Sequence, residues 1–363
     1  MTSYTVGVAG DFINWRAAWD YLRTVDPLAD DYEFMQISDV TENAWISPVG
    51  AELDLQEHTV RFYCPWATSH QGDPTQGYVT YLTGANGRIW LMNLAGPLDP
   101  GTQAQSFIVE NLYLRQLTAN NVVLLDIGPS WVNGGNLTAI VNNVMIRGFS
   151  TAQADGLRVG SDLVYARVYN CKVWNLGKGI VPWSGVGGVA TPGRRFLENC
   201  TVGEHGLTGI YLGTLAGCEW DVKNCVAISS GGPMSPDWQN ANYFRHTVSN
   251  CASQDATVSG ANALPNIVPA NEFEYYLLAD DNQSEFLNLD IGTIAASFTR
   301  EPAGNVLPKQ KIKFDPTITF GGGSASLGGG GIVPTYATAD IKGNTIPNIN
   351  SEYPVGCHIQ EYV

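Results

Sequence analysis

Five carboxylates in the middle of the chain have the residue type that glycoside hydrolysis requires. That reaction uses two carboxyl groups about 5 to 9.5 Å apart, placed on either side of the bond that is cleaved. On a repetitive fold, such a pair would come from neighbouring repeats on one face. The candidates are Asp155, Asp162, Glu204, Asp221 and Asp237. A polysaccharide lyase or glycoside hydrolase is therefore the enzymatic alternative for this sequence.

One histidine lies among these carboxylates, in the segment Gly203-Glu-His205-Gly206. This segment is similar to the GHG element of polygalacturonases, but the NTD and RIK elements that accompany it there are absent. A lone histidine beside a glycine turn is more often a corner residue than a catalyst. We therefore assign no catalytic residue and favour a protein that is not an enzyme.

Neither a metal site nor a cofactor is predicted. Asp280 and Asp281 are adjacent, and the pairs and triplets of acidic residues elsewhere lack the alternating spacing of a calcium loop. The seven cysteines include no C-x-x-C pair, and an odd number argues against a disulfide framework. We expect no metal, no cofactor, and synthesis in a reducing cytosol.

Aromatic side chains are the other candidates for contact with a partner. The longest insertion between repeats, GGPMSPDWQNANYF at 231–244, is rich in them. Aromatic residues can stack on sugar rings, and they are also enriched at subunit interfaces. We favour an interface over a glycan, and the candidate contacts are Trp183, Tyr211, Trp238, Tyr243 and Phe244. Arg194 and Arg195 could hold an acidic sugar, although pairing with Glu198 or Glu204 is the more ordinary arrangement.

Charge and hydropathy exclude two classes of partner. The 363 residues include 34 acidic and 19 basic side chains, which gives a formal charge of −15. Nucleic-acid binding proteins normally present a basic face. The sequence has no run of about 18 apolar residues that could span a membrane, and its start, MTSYTVGVAGDF, does not look like a secretory signal. We expect neither a nucleic acid nor a membrane as partner.

The secondary structure is expected to be almost entirely β. One helix is predicted over 14–23, where Trp15, Ala18, Trp19 and Leu22 form one apolar side and Asn14 or Asp11 can cap the first turn. The remainder reads as many short strands between Gly, Asn and Pro residues, which is typical of an all-β architecture. A further short helix is predicted near 282–288.

An internal repeat indicates which all-β fold this is. The pattern is an aliphatic residue, any residue, asparagine, and then cysteine or an aliphatic residue. Successive asparagines lie 25 to 32 residues apart, as expected for the coils of a parallel solenoid with insertions in the loops. Equivalent residues of stacked coils lie about 4.8 Å apart, so the asparagine amides can form a hydrogen-bonded ladder. The predicted ladder comprises Asn111, Asn143, Asn170, Asn199, Asn224 and Asn250.

The residue after each ladder asparagine should point into the core. Leu112 and Val144 would begin this column, and it would continue with Cys171, Cys200, Cys225 and Cys251. Cysteine is a small, readily buried residue, so the column needs no redox role. Gly156, Gly179 and Gly209 precede short aliphatic strands, and we expect them at corners with a positive φ.

Three regions follow from this pattern. Residues 1–57 would form an N-terminal strand and a capping helix that leads into the solenoid. Residues 58–252 would form the coils of the parallel β-helix. Residues 253–363, where the repeat fades, would form terminal coils and a C-terminal cap or tail.

Three stretches carry a resemblance to a known family. The opening TVGVAGDFINWRAAWDYL, the segment FYCPWATSHQGDPTQGYV at 62–79 and the ending ADIKGNTIPNINSEYPVGCHIQEYV at 339–363 resemble parts of the right-handed parallel β-helix proteins of bacteriophage particles. The ending departs from the family pattern at Ile346, where arginine is usual, and in the step from Gly356 to Glu361. These motifs are architectural, so the resemblance specifies the fold more strongly than the function.

The resemblance implies a virion component that is assembled in the host cytoplasm. The expectation is a non-enzymatic, homotrimeric capsid decoration or a fibre-like protein. Its partners would be further copies of itself, other virion proteins such as the major capsid or tail proteins, and, as a further candidate, a host glycan. A polysaccharide-degrading tailspike and a bacterial surface adhesin are the alternatives.

Overall fold

Short parallel strands stack in register along the molecule and form a parallel β-solenoid. The all-β class and the parallel β-helix predicted from the repeat are thereby confirmed, while the right-handed sense of winding and the three regional boundaries stay predictions. The computed structural model describes residues 1–43, 53–71, 76–95, 105–129, 137–150, 154–160, 165–183, 193–213, 218–229, 235–241, 246–263, 265–266, 273–278 and 284–289.

The elements are numbered in chain order. The first part contains β1 (Thr2–Val6), α1 (Trp15–Leu22), β2 (Tyr32–Gln36), β3 (Val40–Glu42), β4 (Leu53–Asp54), β5 (Val60–Tyr63), a 3-10 turn (Trp66–Thr68), β6 (Val79–Leu82), β7 (Ile89–Ala95), β8 (Gln105–Glu110), β9 (Tyr113–Gln116), β10 (Val123–Pro129), β11 (Leu137–Asn142) and β12 (Met145–Arg147). The second part contains β13 (Asp155–Gly160), β14 (Tyr165–Tyr169), β15 (Lys172–Trp183), β16 (Gly193–Glu198), β17 (Thr201–Tyr211), β18 (Cys218–Lys223), β19 (Val226–Ser229), β20 (Trp238–Gln239), β21 (Thr247–Ser249), β22 (Ala252–Ser253), β23 (Phe273–Leu278) and β24 (Ser284–Leu289).

The strands form three faces, which the chain visits in turn. The first face is a nine-stranded sheet in the order β1-β2-β5-β8-β11-β14-β16-β18-β21. The second face contains β3, β6, β9, β12, β19 and β22, and the third contains β4, β7, β10, β13 and β20. Strands β15 and β17 are long enough to run through both the second and the third face, so those two faces form one continuous sheet.

The core consists of inward columns in which like residues stack on like. On the first face, the parallel register brings one such column together, and all of its members are buried: Phe34, Phe62, Val109, Val141, Val168 and Leu197. Burial of apolar surface contributes about 25 cal/mol per Å². A slip of one residue would turn this column outward, so the apolar alternation fixes the register.

The single α-helix of the described residues packs its apolar side against this core. The four predicted apolar residues of α1 are buried, and the Asn14 side chain accepts a hydrogen bond from the Ala17 N–H, so the predicted helix and its cap are confirmed. The Trp15 ring stacks on Phe62 with ring centroids 4.9 Å apart, and the centroid of Trp19 lies 6.0 Å from that of Phe107. Aromatic pairs at such distances add to the stabilisation from burial.

The six repeated asparagines occupy the corner between the first and second faces, and all have the left-handed backbone conformation, with φ between 52° and 58°. Apart from glycine, asparagine is among the residues that adopt this conformation most readily, because its short side chain can hydrogen-bond locally. The backbone N–H of Asn111 donates to the carbonyl of Asn142, and that of Asn143 donates to Tyr169 in the next coil. Each corner therefore holds the following coil in register.

The amide side chains of these corners also bind one another. Asn143 Nδ2 donates to Asn111 Oδ1 at 3.2 Å, and Asn224 Nδ2 donates to Asn199 Oδ1 at 3.1 Å. Asn199 Nδ2 in turn donates to Asn170 Oδ1 at 3.4 Å. Asn143 Oδ1 is buried and accepts no hydrogen bond from a described residue, so the ladder is interrupted there.

The backbone conformation of the three glycines of the third face contradicts one expectation. Gly156, Gly179 and Gly209 are absent from the residues with positive φ, so turn conformation is not the reason for glycine at these positions. A Cβ at Gly156 would collide with Val173, and a Cβ at Gly179 would collide with Val202. Glycine is required here because the next coil approaches too closely for any side chain.

A second expectation is wrong at the C-terminal end of the described residues. The segment predicted as a helix near 282–288 contains a strand, β24, which pairs antiparallel with β23. A short apolar run fits a strand as well as a helix, and periodicity alone cannot separate the two.

A buried carboxylate lies beneath α1. Glu42 Oε1 accepts the backbone N–H groups of Trp15 at 2.5 Å and Arg16 at 3.3 Å, the first two residues of the helix. Its side chain points into the solenoid, since Glu42 is in register with the core residue Leu82. Burial raises the pKa of Glu42 to about 8, although the two N–H donors oppose the shift. The native state therefore keeps this carboxyl protonated at neutral pH.

Removal of one ladder amide is expected to destabilise the solenoid measurably. Asn199→Ala removes the hydrogen bonds to Asn224 Nδ2 and Asn170 Oδ1. We expect a loss of about 2 to 4 kcal/mol, since each hydrogen bond contributes about 0.5 to 1.5 kcal/mol and alanine in the left-handed corner adds about 1 kcal/mol. Asn199→Gly is the matched control, because it removes the same amide but tolerates the left-handed corner. Its loss should be smaller by about 1 kcal/mol. Urea unfolding followed by circular dichroism measures both; an unchanged midpoint in Asn199→Ala would contradict this role.

Glu42 should make the solenoid less stable as pH rises. Because its pKa is higher in the folded than in the unfolded state, the free energy of unfolding should fall between about pH 4.5 and 8 and level off above that range. One pKa unit corresponds to about 1.4 kcal/mol, so the change is of the order of a few kcal/mol. Glu42→Gln, which imitates the protonated form, should flatten this part of the profile. Thermal unfolding at pH 5 and pH 9 tests this, and an equally steep loss in the variant would refute the assignment.

Candidate functional site

His205 and Asp237 form a fully buried pair near the last described coils. His205 Nε2 lies 2.8 Å from Asp237 Oδ1, and both side chains are 0% exposed. The other oxygen of Asp237 accepts the N–H groups of Gln254 and Asp255, while Asp255 Oδ2 accepts the N–H of Asp237. Burial raises the pKa of Asp237, and the hydrogen bond from His205 opposes that shift. This network fastens the turn after β22 to the preceding coil.

A second charged cluster lies on the outer side of the third face. Asp126 of β10 is in register with Arg158 of β13, and their strand neighbours Leu125 and Leu157 face the core. Arg158 Nε donates to Asp126 Oδ2 at 2.9 Å, and Arg158 Nη2 contacts the same oxygen. Asp126 Oδ1 is buried and has no hydrogen-bond partner among the described residues. Asp126 is thus a buried carboxylate that is only half satisfied.

The surroundings of Asp126 shift the pKa of its carboxyl group. Burial raises the pKa of Asp126, Arg158 and Arg88 lower it, and Asp155 raises it further. Burial also raises the pKa of Asp155, against the opposing effects of Lys178 and Arg158. Two acidic and three basic groups give this cluster a local charge of +1 within an acidic chain. A carboxyl group with a raised pKa can serve as a general acid near neutral pH.

Sequence reasoning included Asp155 but missed Asp126, Arg88 and Arg158. Asp126 stands between Leu125 and Ile127 in LLDIG, so its place on the outer side of the strand was readable from the alternation of that strand, although its burial was not. Its neighbour Arg158 could be identified only with the coil register, because the two residues are 32 positions apart.

The remaining carboxylate candidates are not brought together. Asp221 lies on the outer side of the first face, where its Oδ2 is 3.3 Å from Lys223 Nζ. Asp237 is enclosed in the buried pair. Glu204 belongs to β17, but its side chain lies outside the description, and Asp162 lies outside the described residues. No open pair of carboxylates is therefore formed by the side chains of this predicted set that the structure describes.

The carboxylates on the outer side of the first face are paired across the coils. Arg61 Nη2 lies 2.5 Å from Glu110 Oε2, and Arg61 Nη1 lies 3.9 Å from Glu33 Oε2. Asn142 Nδ2 donates to Glu110 Oε1 at 3.0 Å. Burial raises the pKa of the neighbouring Tyr169 to about 12. This surface is a ladder of mutual contacts, and Glu110 in particular is held by partners from two other coils.

The structure places the predicted aromatic contact residues in different environments. Trp238 is buried and donates from Nε1 to the carbonyl of Ala252, so the core takes up this side chain and it is not available as a surface contact. Tyr211 is half-buried on the third face, in register with Gln239. Trp183 ends β15, but its side chain is not described, and Tyr243 and Phe244 lie outside the described residues.

Arg195 occupies an unusual place for a charged residue. Its register neighbours are Ala166 and Trp220, both of which belong to the core, so Arg195 stands in an inward column of the first face and is 0% exposed. Such a position is incompatible with the surface anchor for an acidic sugar that the sequence suggested. A buried guanidinium requires compensating partners, and this makes Arg195 a structural residue.

The cysteine column lies in the core directly after the asparagine corners. Cys171, Cys200, Cys225 and Cys251 are free thiols with 0% exposure. Burial raises the pKa of Cys171, Cys200 and Cys225 well above the usual value of a thiol. Since the thiolate is the reactive form, these side chains behave as apolar filling rather than as nucleophiles.

Neither a metal site nor a membrane span is found in the described part of the chain. No three His, Cys, Asp or Glu residues there are grouped so that they could hold a metal ion. None of its helices is both long enough and apolar enough to cross a bilayer.

A scan against protein-family models finds no match to the chain, and searches of curated proteins and of solved structures find none either.

Proposed function

We propose that the chain is a structural, non-enzymatic component of a bacteriophage particle, as a trimeric capsid decoration or a fibre-like protein. The observation that carries the proposal is the outer side of the first face, where Glu33, Arg61, Glu110 and Asn142 form a ladder of mutual contacts across the coils. Side-chain contacts between successive coils resist bending of the solenoid, which suits a rod-like structural protein. Nine stacked strands correspond to a length of roughly 40 Å at about 4.8 Å per coil.

The N-terminal end favours side-by-side association over end-to-end growth. The carbonyl of Thr5 in β1 accepts from the N–H of Phe12, and the N–H of Thr5 donates to Asp11 Oδ2 at 2.8 Å. On the third face, the N–H of Leu28 donates to the carbonyl of Asp54 in β4. Together with α1, these contacts occupy edges of the first coil that could otherwise pair with another chain. We infer that this end acts as a cap, so copies would associate through their faces, as in a trimer.

The structural proposal predicts a trimer located in a particle. Mass photometry of the full chain should show three times the monomer mass of 39.2 kDa, since packing of flat faces about an axis buries surface that one copy leaves exposed. Immunogold labelling should place the protein on phage particles from the producing culture. A stable monomer at micromolar concentration would contradict the trimer, and label found only on the bacterial surface would favour an adhesin instead.

One observation favours a second candidate function, the cleavage of a polysaccharide. Asp155 is half-buried and has a raised pKa, as a general acid requires, and the buried Asp126 lies on the neighbouring coil with one oxygen that has no partner among the described residues. The positive charges of Arg88, Arg158 and Lys178 around them would suit an anionic or a polyhydroxylated substrate.

The two functions differ in their response to polysaccharides. For a structural protein, incubation with a panel of capsular and plant polysaccharides should release no reducing ends. If the protein cleaves one of them, Asp126→Asn and Asp155→Asn should each reduce the rate at least about a hundredfold, the size of a general acid–base contribution. Asp221→Asn, which changes a carboxylate on another face, is the matched control. If cleavage continues unchanged in Asp126→Asn and Asp155→Asn as well as in the control, the Asp126 cluster is not the site of cleavage.

A further inference from the structure

Five successive strands of the first face present a continuous outer surface. The outward residues of β2, β5, β8, β11 and β14 form two columns in register, and all of these side chains are half-buried. The first column contains Glu33, Arg61, Ile108, Ile140 and Arg167, and the second contains Met35, Tyr63, Glu110, Asn142 and Tyr169. We call the residues of these two columns the central patch.

The residue types of the central patch are those of a protein–protein interface. Half of the patch is apolar or aromatic, namely Met35, Tyr63, Ile108, Ile140 and Tyr169. Tyrosine, methionine and arginine are enriched where proteins meet, whereas lysine and aspartate, which the patch lacks, are depleted there. Glutamate is depleted as well, so the two glutamates of the patch need partners if a second molecule is to cover them.

The charges of the central patch cancel one another. Glu33 and Glu110 are balanced by Arg61 and Arg167, so the formal charge is 2 − 2 = 0, whereas the whole chain carries −15. Molecules with the same net charge repel each other, and like charges that face each other in an interface oppose association. A second copy can therefore approach this acidic chain most readily where the charge is balanced.

The Arg61 side chain is already held in place on the patch. Its Nη2 lies 2.5 Å from Glu110 Oε2, and its guanidinium carbon lies 4.1 Å from the centroid of the Tyr63 ring. Glu110 Oε1 accepts a hydrogen bond from Asn142 Nδ2 at 3.0 Å. A partner that covers these groups would bury paired charges rather than isolated ones, and it would need to order few side chains.

The central patch is large enough to form the centre of an interface. Five coils at about 4.8 Å and strands of about five residues at about 3.3 Å each give roughly 400 Å² of flat area. The patch ends at β16, where the outer residues Phe196 and Glu198 are already 8% and 0% exposed. Since one partner contributes about 800 Å² to a stable interface, surfaces beside the patch would supply the remainder.

We propose that a second copy of this chain packs against the central patch. The inference deepens the proposed trimer and rests on it, because it names the surface through which the copies would associate. A surface without net charge attracts neither a polyanion nor a strongly basic protein, whereas it removes the repulsion between two acidic copies at the point of contact. The occupant that fits these properties is therefore the chain itself.

Two glutamates placed in the patch should break the association of the copies. In the double variant Ile108→Glu/Ile140→Glu, each copy would bury two carboxylates without a partner, so the concentration at which half of the protein is oligomeric should rise at least about a hundredfold. The matched control, Leu117→Glu/Leu207→Glu, adds the same charges in place of leucines that are 40% and 51% exposed away from the first face. Its oligomeric state should stay unchanged. Analytical ultracentrifugation of the full chain over a dilution series measures all three proteins.

Two further measurements apply if the charged variant fails to fold. Ile108→Thr/Ile140→Thr keeps a residue type that suits a strand and should weaken association by at least about tenfold. Without any substitution, peroxide oxidation of Met35 should be slower in the oligomer than after dilution to the monomer, because a second copy then covers its thioether. Met145, which is 0% exposed, should react slowly at every concentration and reports that the solenoid stays folded.

The outcomes separate this inference from the proposed trimer. A trimer that persists in the folded patch variants would overturn the inference and leave the trimer standing, while a monomeric unmodified chain would overturn both. A dimer that the patch variants dissociate would support the patch and contradict the trimer. Dissociation of the Leu117→Glu/Leu207→Glu control would indicate general charge repulsion, and protection of Met35 that persists in the monomer would show that the chain covers the patch itself. Either of these last two results would overturn the inference.

Discussion

The left-handed corner between the first and second faces is the constraint on which the rest of the solenoid depends. A parallel stack repeats every coil at the same angular position, so whatever conformation one corner adopts, the corners above and below it must adopt as well. Only a few residue types accept a positive φ without strain, and asparagine is the one whose side chain can also bind its equivalent in the next coil. The six corners from Asn111 to Asn250 have nearly the same φ because the stack permits no other choice.

The conformation of this corner also limits which residue type can follow each asparagine. The residue after each asparagine enters the core immediately and meets its equivalent in the neighbouring coil, as Cys200 meets Cys171 and Cys225. The Cys225 N–H donates to the Cys251 Sγ at 3.4 Å, so the sulfurs also accept hydrogen bonds inside the column. A small and polarisable side chain suits this position better than a branched one. The same burial that stabilises the column keeps all four thiols away from solvent and raises the pKa of Cys171, Cys200 and Cys225.

The asparagine repeat marks the coils from Asn111 onwards, and the coils before it had to be inferred from short strands alone. Tyr63 is in register with Glu110, so Cys64 stands where Asn111 stands one coil later, and the earlier coils therefore carry no asparagine signal. The glycines of the third face were recognised, but a close approach between coils leaves no trace in a single sequence that distinguishes it from a turn. Asp126 and Arg158 were missed for a related reason, because their contact exists only in the register. Long-range register, rather than local conformation, is what the sequence alone could not supply.

The carboxylates of this chain show how a solenoid can use acidic residues to hold its coils in register. Glu42 and Asp237 are buried beside backbone N–H donors, and Glu110 is held by Arg61 and Asn142 from adjacent coils. In each case, stacking supplies a partner at a fixed distance, so the acidic group stabilises the register instead of facing a substrate. Asp126 differs, because Arg158 binds one of its oxygens while the other has no partner among the described residues. A buried carboxylate of this kind is costly unless a water or a ligand completes it, and this makes the third face, rather than the regular first face, the part of the rod where a departure from a purely structural role would be found.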